Sequence, residues 1–183
     1  MMAALMSEED VIGIVGPVAA GDALLYINGF IQGVRDTEPE TEVLVAYTGS
    51  FSDVAAGTEI ANTHIAAGAD VLTGSSQMVV GAIEAVRARG GYWFGTQSDQ
   101  SGEWPDAVVA SQVYNWTPVL LDMIQRRQNG ELGGVAYNLT LENGGLAFAF
   151  GDVLIPPSVL AAAGEAVAGI LSGDIVVAQE LPE

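Results

Sequence analysis

Val43-Leu44-Val45-Ala46-Tyr47-Thr48-Gly49-Ser50-Phe51-Ser52-Asp53 holds a complete strand-to-helix junction. The first five residues form an apolar run of the kind that pairs in a sheet. Thr48-Gly49-Ser50 stops that run, and the Asp53 carboxylate is placed to accept from the free amides that open a helix. The helix predicted behind Asp53 reaches about Ala67, where Gly68 supplies a favourable C-terminal stop.

The same alternation extends in both directions. Upstream, Val11–Gly16 is a strand ending in Gly16-Pro17. Ala20–Arg35 follows as a helix with an apolar stripe of Leu24, Leu25, Ile27, Ile31 and Val34. Downstream come a strand over Asp70–Thr73, a helix over Ser76–Arg89 and a strand over Tyr92–Thr96. The polar loop Gln97–Pro105, a strand over Ala107–Ser111 and a helix over Pro118–Asn129 complete the series. Strands recur about every 20 to 30 residues, the spacing of βα units with crossover helices and a parallel sheet. Their apolar character on both faces suits strands covered by helices on each side. The expected fold is therefore α/β, a doubly wound parallel sheet.

After Gly133 the pattern changes. Val135–Leu141 and Leu146–Phe150 flank Asn143-Gly144-Gly145 and predict a β-hairpin. An Ala-rich helix over Ser158–Leu171 follows, closed by Gly173, with a short strand expected at Ile175–Val177. The expected organisation is a lead-in segment over 1–10, an α/β domain over 11–132 and a C-terminal segment over 133–183.

Composition narrows the function. The 183-residue chain carries 23 Asp and Glu against five Arg and no Lys, a formal charge of −18. Nucleic acid and anionic membrane surfaces repel such a chain. The carboxylates are dispersed rather than gathered in a tail, which suits a source at high salt, where charge is screened. With no cysteine, disulfides, thiolate metal sites and Cys nucleophiles are excluded. With no Lys there is no Gly-x-x-x-x-Gly-Lys phosphate loop. Gly13, Gly16 and Gly21 have the wrong spacing for a dinucleotide fingerprint. The sole histidine, His64, falls inside a predicted helix and fits a surface or half-buried structural role, and one His without Cys makes zinc an unfavoured reading. No cofactor or metal is expected. No run reaches membrane-span length, and MMAALMSEED lacks the basic start and apolar core of a signal peptide.

The candidate site lies where open α/β sheets bind ligands, beyond the C-terminal ends of the strands. Those ends carry Gly16-Pro17, Thr48-Gly49-Ser50, Gly74-Ser75-Ser76 and Gln97-Ser98-Asp99-Gln100. Glycine and serine let backbone amides approach a ligand, although such residues are also common in ordinary turns. Tyr26, Tyr114 and Trp116 are available as stacking rings, while Trp93, inside a strand, reads as core.

Taken in order, several short motifs resemble the basic membrane protein (BMP) family, lipoprotein substrate-binding components of ABC importers that include purine nucleoside receptors. They are Gly13–Gly16, Tyr26-Ile27-Asn28-Gly29-Phe30, Tyr47–Asp53, Gly68-Ala69-Asp70-Val71, Gly95–Gln100 and Ser172-Gly173-Asp174-Ile175. The resemblance covers nearly the whole chain and implies the second lobe of a type I periplasmic-binding-protein-like fold. Residues 1–10 would then be the end of the helix before that lobe, and 133–183 would return to a first lobe that is mostly missing. It also implies an ABC permease as partner, the outer face of the cell membrane as location, and binding without covalent chemistry. The chain shows no lipidation Cys of its own.

The implied ligand-binding residues are Gly16, Tyr26, Gly49, Gly74, Ser75, Gln97, Asp99, Tyr114 and Trp116. Tyr26 falls where the family stacks a Phe on the purine. Gln97 replaces the family's ribose-holding Asp, and Tyr114 stands where many members have Lys. Both departures remove a charged group and widen the implied solute from a purine nucleoside to a purine base or another flat ring. Two other readings stay open: a small α/β hydrolase with Asp99 as base, and an orphan lobe that pairs with another chain or with itself.

Overall fold

A computed structural model describes residues 1–178. In chain order its elements are α1 (Met2–Met6), β1 (Val11–Gly16), α2 (Gly21–Arg35), β2 (Glu42–Tyr47), α3 (Val54–Ala66) and β3 (Val71–Gly74). A single 3₁₀ turn at Gln77–Val79 leads into α4 (Val80–Arg87). Then follow β4 (Tyr92–Gln97), β5 (Val108–Tyr114), α5 (Thr117–Gln128), β6 (Leu146–Phe150) and α6 (Pro157–Ser172).

The strands form one six-stranded sheet in the order β2-β1-β3-β4-β5-β6. β1 to β5 are parallel, with a register irregularity between Trp93 and Phe94. The chain leaves β1 toward β2 on one side and then builds β3 onward on the other. The topological switch point therefore falls between β1 and β3, where a doubly wound sheet opens a crevice.

Helices cover both faces. Beneath α3 and α4, Val15, Leu72, Met78, Ile83, Trp93, Trp104 and Val108 form one core. Two glycines set the closeness of this layer. A Cβ on Gly57 would stand 2.6 Å from the Met78 carbonyl oxygen, and one on Gly81 would strike Thr58 Oγ1. On the other face α1, α2 and α6 enclose Ala3, Ala4, Ile12, Val34, Val71, Phe94 and Val159, with Ile14, Ile27 and Ile31 beside them. Asp53 caps α3 as its sequence predicts, its Oδ1 accepting from the Ala56 amide at 3.0 Å.

Several expectations differ from what forms. β2 is an edge strand, and Val45 and Tyr47 remain exposed, so only the inner strands are buried on both faces. The predicted hairpin does not form. Asn143 Oδ1 accepts from the amides of Thr140 and Gly145, and its Nδ2 donates to the Asn138 carbonyl. Thr140 Oγ1 accepts from the Asn143 amide. These side chains take backbone groups that a strand over 135–141 would need. β6 pairs antiparallel with β5 instead, Tyr114 opposite Leu146 and Ala110 opposite Phe150. The short strand expected at Ile175–Val177 is also absent. The Gln32 side-chain amide takes the place of a neighbouring strand there, donating to the Val176 carbonyl at 3.0 Å and accepting from the Ala178 amide at 2.8 Å.

α5 leaves most of its apolar side chains exposed. Val119 is its one buried residue, while Leu120, Leu121, Met123 and Ile124 are each at least half exposed. Its last turn is tied by Arg126, which donates to Asp122 Oδ2 at 2.6 Å and to Glu131 Oε2 at 2.6 Å. Among the described residues, no helix is long and apolar enough to cross a membrane.

His64 is more buried than its sequence setting predicts. It lies on α3 against β1, its Nε2 3.2 Å from the Ile14 carbonyl oxygen, where a Cβ on Gly13 would collide with it. The carbonyl calls for Nε2–H, the neutral or protonated donor. Burial lowers the His64 pKa below 6.5, partly opposed by that hydrogen bond. The unfolded chain therefore takes up the proton first, and stability is present above pH 6.5 and falls as pH drops from 6.5 toward the folded pKa. Urea titrations across that window are expected to show this slope, and His64→Gln is expected to flatten it. An unchanged slope in the variant would refute the assignment.

Candidate functional site

Two neighbouring strands end in strained backbone. Ser76, just past β3, has φ 74° and ψ −178°, a conformation otherwise nearly confined to glycine. Gln97, the last residue of β4, has φ 75°. Non-glycine residues of this kind concentrate at ligand clamps, because surrounding contacts must hold the strain. Ser75 adds a second signal. It is 5% exposed, and its Oγ is buried without a hydrogen-bond partner. An unmet buried hydroxyl costs about 1–3 kcal/mol; Thr41 Oγ1, just before β2, is in the same state.

Ser76, Gln77, Thr96, Gln97, Ser98, Asp99, Gln100, Glu103 and Trp104 line one open depression of about 290 Å³. Its floor is fixed by the loop after β4. Gln100 Oε1 accepts from the Trp93 indole at 2.8 Å, and the Gln100 amide donates to Ser111 Oγ at 3.3 Å. The Trp104 indole donates to Glu84 Oε1 at 2.6 Å, which ties the loop to α4. Asp99 Oδ1 accepts from the Ser101 amide and hydroxyl at 2.9 and 2.7 Å. The Ser101 hydroxyl, and then its amide, hold the Asp99 carboxyl below its usual range, so Asp99 builds the turn and makes a weak base.

Tyr26 stands over β3 from α2. Thr73 Oγ1 donates to the Phe94 carbonyl at 2.7 Å, so the Tyr26 hydroxyl is the donor in its 2.6 Å contact with Thr73 Oγ1. Burial raises the Tyr26 pKa to about 12, against the lowering effect of that hydrogen bond, with a further push from Tyr114. The phenol stays neutral, and its ring is half-buried with Phe30 at 6.2 Å. Tyr114 and Trp116 meet edge to face at 6.3 Å, and Trp116 is exposed.

The remaining expected residues serve backbone approach. A Cβ on Gly16 would stand 2.7 Å from the Tyr47 ring, so glycine lets that ring close over the end of β1. Gly74 lies against the Val15 carbonyl, Val79 and Trp93 at the switch point. Gly49, at φ +73°, occupies an exposed turn. The structure thus brings Gln97 and Asp99 to one depression, with Ser75 beside the Ser76 that lines it. Gly16, Tyr26, Gly49, Tyr114 and Trp116 do not line that depression. Thr73 and Gln112, the latter accepting from Thr96 Oγ1 at 3.3 Å, were not anticipated. The polar Thr73 and Gln112 inside otherwise apolar strands were the available signal.

Residues 1–160 match the family model for PnrA-like substrate-binding proteins of ABC transporters. The chain belongs to that family. It is 29% identical over 122 residues to a purine-binding protein of Brucella abortus, covering 67% of this chain and 35% of the relative. To basic membrane protein A of Borreliella afzelii it is 27% identical over 160 residues, covering 85% of this chain and 49% of that one. The chain thus spans half or less of the length of these relatives.

Solved structures agree on the fold. A transcriptional activator of the comK gene from Bacillus halodurans superposes with TM-score 0.81 at 20% identity, covering 95% of this chain and 60% of its own. An ABC solute-binding protein from Conexibacter woesei gives 0.75 at 20% identity, covering 99% and 60%. The architecture is that of a type I periplasmic-binding-protein-like lobe. The family and fold are those of ABC solute-binding proteins.

Proposed function

We propose that this chain contributes one wall of a two-lobed receptor that delivers a purine nucleoside, purine base or similar flat solute to an ABC permease at the outer face of the membrane. The observation that carries the reading is the strained, unsatisfied edge at Ser75, Ser76 and Gln97, beside the β1/β3 switch point of a chain from this family. The purine-binding relative supports the choice of solute. Tyr26 supplies the stacking ring, Tyr114 and Trp116 a second aromatic wall, and Gly16, Gly49 and Gly74 the close backbone approach. Ser75, Gln97 and Asp99 face the polar edge of the solute. Closure of a second lobe would complete the enclosure that an open depression lacks.

The exposed apolar residues of α5 support a lobe boundary near this helix, with residues 1–10 as lead-in, 11–132 as the main lobe and parts of 133–183 reaching across. They equally favour self-association when no partner lobe is present. The acidic surface fits work at high salt. The hydrolase alternative is weakened by Asp99, whose carboxyl is spent on the Ser101 turn.

Calorimetric titration in molar salt with adenosine, guanosine, adenine and hypoxanthine tests the reading. One of these is expected to bind, and Tyr26→Ala is expected to weaken it at least tenfold, about 1.4 kcal/mol or more. Tyr26→Phe keeps the ring and is expected to retain most of the affinity. Release of product beyond one equivalent would overturn the binding assignment in favour of an enzyme.

A further inference from the structure

Charge is unevenly spread along the chain. Residues 1–106 carry fifteen carboxylates and three Arg, whereas residues 107–151 carry three carboxylates and two Arg. Exposed apolar side chains show the opposite bias. Of the twenty-one large ones exposed among the described residues, eight fall within residues 120–150. They belong to α5, the segment after it and β6, which are joined into one edge of the molecule. The Tyr137 hydroxyl donates to Asp122 Oδ2 at 2.6 Å, and the Asn115 side-chain amide donates to the Gly144 carbonyl at 2.9 Å. Val119 and Asp122 face Tyr137 and Leu139 across a small cleft, which leaves Leu120, Leu121, Met123 and Ile124 spread over nearly half the circumference of α5 with no cover. Arg127, at the end of that stripe, makes no ion pair among the described residues.

β6 adds open backbone groups to this edge. It ends the sheet. The Asn115 amide donates to the Gly145 carbonyl at 2.8 Å and the Gly151 amide to the Val109 carbonyl at 2.9 Å, so the odd-numbered residues of β6 turn their backbone toward β5. Leu146, Phe148 and Phe150 turn theirs outward, and the Thr140 carbonyl takes the Leu146 amide at 3.0 Å. The outward groups of Phe148 and Phe150 meet no further strand. Natural edges are guarded by charge or proline. The opposite edge follows that rule, with Glu38-Pro39-Glu40 just before β2 and Glu42 opening it, whereas Asn143–Gly151 holds neither charge nor proline.

We propose that α5, the segment 131–145 and β6 form the interface of a two-fold dimer, occupied by a second copy of this chain. Charge selects that occupant. A basic partner gains most from the carboxylates of residues 1–106 and here meets Arg127 instead. An anionic bilayer repels a chain of net charge −18. Two such chains approach most easily where each carries least charge, and there apolar surface meets apolar surface. The area suffices as well. The eight side chains expose 41–76% of their surface. Together they offer on the order of 800 Å², which is about what a standard interface takes from each partner. The dimer is independent of the solute reading, and its failure would leave solute binding as proposed.

Sedimentation equilibrium of the full chain, at micromolar to submillimolar concentration, tests this in about 0.1 M and in molar salt. A species of twice 18.9 kDa is expected, and its association should tighten several-fold as salt screens the like charges. The double substitution Leu120→Glu and Ile124→Glu is expected to weaken dimerisation at least tenfold, and so, separately, is Phe148→Glu. Phe51→Glu alters an exposed ring outside the interface and is expected to change nothing. Circular dichroism and the urea midpoint report whether each variant keeps the sheet. Leu132→Glu, in a segment with neither helix nor strand, replaces any variant that does not fold. A dimer that weakens as salt rises is held by ion pairs and overturns the proposal. So does a dimer that the folded interface variants leave intact. A monomer at both salts also overturns it and hands the edge to a different chain.

Discussion

Trp93→Ala is expected to lower the unfolding free energy by about 3–5 kcal/mol, the range for deleting a large aromatic side chain from a core. Trp93 is fully buried between β3 and β5 and beneath α4. Its loss also strips Gln100 Oε1 of the indole donor that holds the loop after β4. The same substitution should therefore loosen the depression that Gln97, Asp99 and Gln100 line. Urea denaturation followed by circular dichroism measures the first effect. A change below about 1 kcal/mol, the mean for ordinary substitutions, would contradict this account of the core.

Gly74→Val is the second large effect. A Cβ there would sit 2.5 Å from the Val15 carbonyl oxygen, 3.0 Å from Val79 and 3.2 Å from Trp93. Overpacking usually costs about 1–3 kcal/mol, and a wall made partly of backbone cannot turn aside as a side chain can. We expect at least the upper part of that range, read as a fall in the denaturation midpoint. Relief would come only from parting β1 and β3, which pair through Val15 and Gly74. The crevice opens between those two strands, so any folded remnant should also lose solute binding. A variant as stable as the parent would show that β1 and β3 are not held together at this register.

Most of the sheet was legible because apolar runs and helix stripes have distinct periods, and because Asp53 and Gly68 mark the ends of α3. The misreadings share a cause. At 135–141 and 175–177 the sequence has strand-forming residues, yet side-chain amides supply the hydrogen bonds that a neighbouring strand would supply. Asn143 and Gln32 lie outside the segments they satisfy, so propensity within the segment does not reveal them. β6 forms as expected, but its partner is β5 and not the segment 135–141.

The site was legible as a set of loop ends, since strand termini follow from strand assignment. Its two most informative features were not. Ser76 and Gln97 hold positive φ without being glycine, and serine or glutamine in a sequence gives no sign of that. The missing partner of Ser75 Oγ depends on everything packed around it. His64 was expected at the surface or half-buried, and its greater depth goes with the close approach that Gly13, half a domain earlier in the chain, permits.

α5 has a consequence for how the molecule comes apart. A helix of this length is marginal in water unless tertiary packing supports it. With Val119 as its sole buried side chain, α5 draws its cohesion from its own turns, from the Arg126 ion pairs and from the Tyr137 hydroxyl, which donates to Asp122 Oδ2. Its local unfolding free energy therefore lies far below that of β1, β3 and β4, and its amides exchange with solvent while the sheet stays shut. Any surface that covers Leu120, Leu121, Met123 and Ile124 must supply the free energy that orders this helix, so contact and folding become one thermodynamic event there.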